Sequence, residues 1–408
     1  MATSRPESLD ARLDRYPVTR YPVQHATTQF HLGAARLAAG ESAAAIEALT
    51  AARRVFARVG LRLEEAKATT MVGIALRESG RSAEAGTAFR SAAATFAELA
   101  QPAERAAASY NLGLVLRDDG DLAGAQAAWS TAREHFLAAR QPASAGACAR
   151  EHGAILLTAG DPAAARPLLE EAVALAEQAG DLPGLGAANN VLGLALLADD
   201  RAVDAAEAFR RALGAFPRSV RPAEYAMAKA NLALACARAG QDTRARLAAR
   251  QSLAVPAAAA PVRAQARQLL AQLPPAAGDD LLAVLDDETS DRWAATIREE
   301  VLRLLETPAD ERRAAVASFL DGVLTRPRSA HQLVQSLLNV LLELPPPAYD
   351  AMVRAVVAAA IETSVEPGNR LRSVMRSAMA RFPVPQWDRL ATGFDSVAAE
   401  YGTPLGWR

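Results

Sequence analysis

VGIALRESGRSAEAGTAFRSAAATF, residues 72–96, holds the signals that decide the fold. Val72 and Gly73 sit inside an apolar helical run that stops at Gly80. After it come Ala85, Phe89, Ala92 and Phe96, spaced i, i+4, i+7 and i+11. That spacing puts four apolar residues, alternately small and large, on one face of a 3.6-residue helix. Gly80 falls where a helix end calls for left-handed backbone. Gly73 lies within the first run, where a missing Cβ lets a second helix come close. The stretch therefore reads as two helices packed as a hairpin.

The same signals recur every 40 residues. Gly33, Gly73, Gly113, Gly153 and Gly193 share one slot, with Ala233 in the sixth. Before them stand Leu32, Val72, Leu112, His152, Leu192 and Leu232, and seven residues after them Gly40, Gly80, Gly120, Gly160, Asp200 and Gly240. The second helices carry Ala45, Ala85, Ala125, Ala165, Ala205 and Ala245, then Leu49, Phe89, Trp129, Leu169, Phe209 and Ala249. Phe56, Phe96, Phe136 and Phe216 extend that face by two turns. Six ungapped copies predict a solenoid of stacked helical hairpins, in which each copy buries its apolar face against its neighbours.

Leu-Gly in the first helix, Gly in the turn, then Ala, a large apolar residue and Ala in the second helix resembles the tetratricopeptide repeat family over about residues 24–256. The period is 40 where the common form has 34, so both helices should be longer. The aromatic that often opens the motif is replaced by Gln29, Thr69, Ser109, Ala149, Asn189 and Lys229. The resemblance implies an all-α, right-handed solenoid whose first helices line a concave surface. Carried onto this chain, the partner-contacting stripe comprises Phe30, Thr70, Arg77, Tyr110, Asn111, Arg117, Arg150, Glu151, Asn190 and Asn231. Asn111 and Asn231 match a family position that commonly bonds peptide backbone. No three successive repeats supply the family's two-carboxylate clamp for chaperone tails.

Residues 1–23 read as an extended arm, with Arg15-Tyr16-Pro17-Val18 and Arg20-Tyr21-Pro22-Val23 as either a docking peptide or a linker packing its own aromatics. Residues 257–278 read as a capping helix, about Pro261 to Leu273, followed by a Pro274-Pro275 break. From Asp279 onward the register is lost. Six or seven short helices punctuated by prolines predict a compact α-helical domain over 279–408, one that resembles no family.

The 408 residues carry a net charge of −1, which lacks the basic surplus of a non-specific nucleic-acid binder. Two cysteines, Cys148 and Cys236, cannot supply a disulfide framework or a four-ligand zinc site and suit a reduced, cytoplasmic setting. The alanine- and arginine-rich composition, with Lys67 and Lys229 as its two lysines, suits a GC-rich bacterial genome. Residues Met1–Asp14 have no apolar core of a secretory signal. The apolar runs Leu333–Leu344 and Met352–Ile361 are too short to span a bilayer and read as buried helices. Neither lysine follows a glycine, which excludes a P-loop. Gly184-Leu185-Gly186 reads as a turn, and no metal-binding or catalytic motif emerges.

His152, where the other copies have Leu or Val, is either a pH-sensitive group in the groove or a core histidine bonded to a neighbour. The expected function is a non-enzymatic scaffold or adaptor that holds a protein or peptide in its groove, with no cofactor and no metal. The alternative is a peptide-sensing regulator whose array changes curvature on binding. A helical enzyme comes third.

Overall fold

A computed structural model describes residues 9–276, 278–362, 365–402 and 406–407; residues 1–8 of the expected arm, Ala277 of the expected linker, and residues 363–364, 403–405 and 408 of the expected C-terminal domain lie outside. The described residues form twenty-one helices and no strand. They divide into two compact units after Asp200.

The first unit contains α1 (Leu9–Arg15), α2 (Pro22–Ala38), α3 (Ser42–Arg58), α4 (Arg62–Glu78), α5 (Ser82–Glu98), α6 (Pro102–Asp118), α7 (Leu122–Ala138), α8 (Pro142–Thr158), α9 (Pro162–Ala179) and α10 (Leu182–Ala198). From α2 to α9 each helix packs on the one before and the one after it, a stack of hairpins. The added length expected from the 40-residue period is real: α2 through α8 are each 17 residues long.

The glycine slot works as its chemistry demands. A Cβ on Gly33 would stand 2.5 Å from Leu49, on Gly73 2.7 Å from Phe89, on Gly113 2.4 Å from Trp129, and on Gly153 2.8 Å from Leu169. In each hairpin the large residue of the second helix lies directly on the first helix's bare backbone. Ala45, Ala85, Ala125 and Ala165 beside these contacts are fully buried.

Helix ends follow a finer rule than the sequence reading anticipated. Left-handed backbone occurs every twentieth residue from 40 to 200, at Gly40, Gly60, Gly80, Ala100, Gly120, Arg140, Gly160, Gly180 and Asp200, and again at Gly240. The amide of Gly40 donates to Leu37 O and that of Glu41 to Arg36 O, the paired bonds that close a helix C-terminus through a left-handed residue. The joints between hairpins therefore use the same device as the joints within them.

The N-terminal arm departs from expectation. Leu9–Arg15 is helical and falls, in sequence, where a preceding second helix would lie. Pro17 then opens a turn whose carbonyl accepts from Arg20 and Tyr21, and Pro22 starts α2. Proline suits both places, since neither requires an amide donor. Tyr16 and Tyr21 meet edge to face at 5.7 Å. Gly184 likewise lies in the first turn of α10, where its amide donates to Asp181 at 3.0 Å, so the segment read as a turn is a capped helix start.

The second unit comprises α11 (Ala202–Ala215), α12 (Pro222–Arg238), α13 (Asp242–Leu253), α14 (Ala260–Gln272), α15 (Asp280–Asp286), α16 (Trp293–Leu305), α17 (Ala309–Leu324), α18 (Ala330–Glu343), α19 (Pro346–Glu362), α20 (Val365–Met379) and α21 (Val384–Glu400). Helix α14 packs on both α12 and α13. The apolar runs foreseen as buried helices are α18 and α19; Val334, Leu338, Met352 and Val356 are wholly enclosed in one core with Leu285, Ile297, Leu320, Leu371 and Phe394. Pro367 falls in the first turn of α20 rather than breaking a helix, since first-turn amides have no helical acceptor.

Candidate functional site

The first-helix face of the first unit is built by α2, α4, α6, α8 and α10. Slots 37, 77 and 117 share one register position, and so do slots 31, 71, 111 and 151. Where those slots hold charge, the packing links them. Arg77 Nε lies 3.5 Å from Asp118 Oδ2, and Arg117 Nη2 lies 2.9 Å from Asp118 Oδ1. Arg117 Nη1 donates to Glu151 Oε2 at 2.8 Å, and Arg150 Nη2 to Glu151 Oε1 at 2.8 Å. The result is a five-member ladder, Arg77–Asp118–Arg117–Glu151–Arg150, across α4, α6 and α8. Three guanidiniums meet two carboxylates, so the ladder carries one surplus positive charge.

Burial disfavours the Arg117 cation, and hydrogen bonding to Asp118 with the nearby charge of Glu151 outweighs it, holding the guanidinium above its ordinary range. Tyr110 is raised by burial first and by Glu151 second. It therefore stays protonated beside the ladder, a donor as well as an acceptor. Its carbonyl takes the indole N–H of Trp129 at 3.0 Å, which ties its backbone to the buried core. Ion pairs this exposed add about 0–1 kcal/mol each; the fold rests on the core beneath them, and the ladder can be altered without unfolding it.

The other expected contact residues divide. Asn111 donates to Ala107 O at 2.8 Å and Thr70 to Ala66 O at 3.0 Å, both on their own helices and both half-buried. Phe30 packs partly against two apolar clusters, one around Leu49 and Phe89 and one around Ala52 and Phe56, and meets His31 edge-on at 6.0 Å. Asn190 is buried, 6% exposed. Asn231 belongs to the second unit; it is buried there, with its Oδ1 accepting from Gln265 of α14 at 3.2 Å. The structure thus brings Arg77, Tyr110, Arg117, Arg150 and Glu151 together, with Thr70 and Asn111 on neighbouring turns, and sets Asn231 apart under a helix.

Asp118 is the member that sequence reasoning missed. It is the last residue of α6 and bridges two arginines from different hairpins. The signal was present in Arg77 and Arg117, which stand 40 residues apart with an acid after the second. His152 is lowered by burial first and by the Arg133 charge second. Arg133 is on α7, the second helix of the preceding hairpin. Cys148 is fully buried and its thiol is pushed up to about 12, chiefly by burial, so it is held protonated. No helix among the described residues is long and apolar enough to cross a membrane.

Comparison with known proteins matches residues 30–100 and 150–220 to the tetratricopeptide repeat. None of the curated proteins compared matches the chain. Among solved structures, BtubC from P. vanneervenii is 14% identical, covers 58% of this chain and 92% of its own, and superposes with a TM-score of 0.46. The apo form of RapI is 13% identical, covers 89% of this chain and 90% of its own, with a TM-score of 0.49. The repeat domain of P58(IPK) is 12% identical, covers 92% and 98%, with a TM-score of 0.26. With glycines, capping turns and buried alanines that fulfil the repeat's requirements, residues 30–100 and 150–220 carry tetratricopeptide repeats.

Proposed function

We propose that the chain is a scaffold or adaptor that holds a protein or peptide partner on the first-helix face of its first unit. The observation that carries this reading is the Arg77–Asp118–Arg117–Glu151–Arg150 ladder, flanked by the half-buried side chains of Met71, Ile74 and Tyr110. Ion pairing holds the guanidiniums in fixed rotamers before a partner arrives, which lowers the ordering cost of binding. Tyrosine and arginine are also the residue types that dominate interface energetics. The surplus positive charge suits a partner segment with apolar anchors and at least one acidic side chain. A helix laid in a groove or an extended peptide would both satisfy that chemistry.

The test is a triple variant, Tyr110→Ala, Arg117→Ala and Arg150→Ala, in the full chain. A partner captured from host cells by the unaltered protein is purified and titrated against both. Because hot-spot truncations cost about 2 kcal/mol or more each, the triple variant should bind at least thirty-fold, or roughly 2 kcal/mol, more weakly while keeping its helicity and cooperative unfolding. Glu98→Ala with Glu177→Ala, on second helices, should leave binding unchanged. Equal binding by wild type and triple variant would overturn the proposal.

A further inference from the structure

The second unit encloses a cavity of about 200 Å³ between α13, α15, α16, α17 and the central helices α18 and α19. Its inner wall is apolar, formed by Ile297, Val301, Phe319, Leu337 and Met352, each of them buried. Its rim is charged, with Arg250, Asp279, Asp280, Glu300 and Arg303, and Asp279 is already bonded by the Leu282 amide and the Ser318 hydroxyl. A largely apolar chamber with a few polar groups at one end is the general form of a small-molecule site. For scale, an apolar cavity of about 150 Å³ accommodates benzene, so this one has room for a single ring or a branched chain of similar bulk.

The rim singles out one group. Asp280 is 2% exposed at its side chain and is gripped by a fork from Arg246, with Nε 3.0 Å and Nη2 2.7 Å from Oδ1. Arg246 also lies 3.1 Å from Oδ2 through Nε, so this carboxylate is satisfied without further help. Arg250 reaches the same carboxylate through Nη2 at 2.5 Å, while its Nε is buried with no hydrogen-bond partner. A buried donor left unmade costs about 1–3 kcal/mol, and few native groups are left so. Across the rim, Glu300 is engaged by Arg303 at 2.7 Å and by Gln251 at 3.4 Å. Arg250 thus brings to the mouth of an apolar chamber a guanidinium that Asp280 engages through Nη2 alone, and a guanidinium edge matches a carboxylate better than any other small acceptor.

We infer that this cavity is a binding site for a small monocarboxylic acid with a compact apolar body, the body seated against Phe319 and Met352 and the carboxylate held by Arg250. The site lies wholly in the second unit and does not depend on the partner-binding face of the first.

The experiment uses the full chain and three probes of one shape: phenylacetate, 2-phenylethanol and 2-phenylethylamine. Binding is read by calorimetry and by the shift in melting temperature. Phenylacetate should bind at sub-millimolar to millimolar concentrations, about ten-fold tighter than the neutral alcohol, as expected for a hydrogen bond to a charged group, and the amine should not bind. Arg250→Met should bring phenylacetate down to the level of the alcohol, and Arg246 keeps Asp280 paired in that variant. Ala315→Leu, which fills the chamber and leaves the rim alone, should abolish both. The ranking of the three probes on the unaltered protein decides the matter even if a variant fails to fold. Equal binding of acid and alcohol, no binding of phenylacetate, or full binding by either folded variant would overturn the inference.

Discussion

Two glycines inside helices of the same unit should respond to the same substitution with opposite sign. Gly113→Ala gains about 0.5–1 kcal/mol of backbone preference, as does any glycine-to-alanine change in a helix interior. Against that, its Cβ would lie 2.4 Å from Nε1 of Trp129 and under 3 Å from two further ring atoms. The indole is rigid and fully buried, and its N–H bonds Tyr110 O, so it cannot turn aside without leaving a buried donor unmade. Overpacking costs about 1–3 kcal/mol and the lost bond about 1–3 kcal/mol more. The net expectation is a destabilisation of about 2–4 kcal/mol, or roughly 5–15 °C in Tm at about 2–4 °C per kcal/mol for a unit of this size. In Gly86→Ala, on α5, the new Cβ meets nothing closer than 3.6 Å, so only the backbone gain remains and stability should rise by about 0.5–1 kcal/mol. Gly153→Ala should fall between them, because Leu169, 2.8 Å away, can change rotamer where an indole cannot. Urea unfolding followed by circular dichroism reads all three. A Gly113→Ala chain as stable as wild type, or a Gly86→Ala chain destabilised to match it, would refute the close-approach account of the repeat.

The remaining predictions concern backbone strain and pH. Ala100 and Arg140 occupy left-handed turns with φ of 55° at both, where an L-residue costs about 1–2 kcal/mol; after glycine's larger unfolded-state entropy of about 0.4–1 kcal/mol is subtracted, Ala100→Gly and Arg140→Gly should each stabilise by about 0.5–1 kcal/mol, read as a rise in urea midpoint. Lys229, buried on α12, bonds Gln251 at 2.9 Å and faces Glu299 at 3.4 Å; burial is the main cause that brings it from 10.5 down to about 8. Between those values the unfolded chain binds the proton that the folded chain has released, so this lysine makes stability rise with pH, by up to about 1.4 kcal/mol per unit. Urea midpoints from pH 8 to 10 should therefore climb less steeply, or fall, in Lys229→Met; identical slopes would show that the lysine is not desolvated.

The amino-acid sequence by itself determined the hairpins, their register and their close-packed faces, because each of those signals is local and repeats. A glycine beneath a large side chain, an alanine at a crossing and a left-handed residue at a helix end each impose a short-range steric condition. Gly113 with Trp129 and Gly40 with its capping amides are legible for that reason. The helical character of the C-terminal part was legible too, since its apolar runs and prolines punctuate it. The turns at Ala100 and Arg140 escaped notice because no glycine marks them, although the 20-residue spacing imposes the same backbone there. The residues of the candidate surface were named one by one, but their joining was not. Arg77 reaches Asp118 and Arg117 reaches Glu151 only when consecutive hairpins stack, and that depends on side-chain reach across helices rather than on any nearby pattern. The same holds for Asn231, alike in register to Asn111 yet sealed by Gln265 of α14, and for Arg250, whose spare donor exists only because Arg246 and Asp280 come together from 34 residues apart. A repeating sequence specifies what every copy must do to pack, whereas the groups left over after packing depend on which particular side chains meet, and only the tertiary structure decides that.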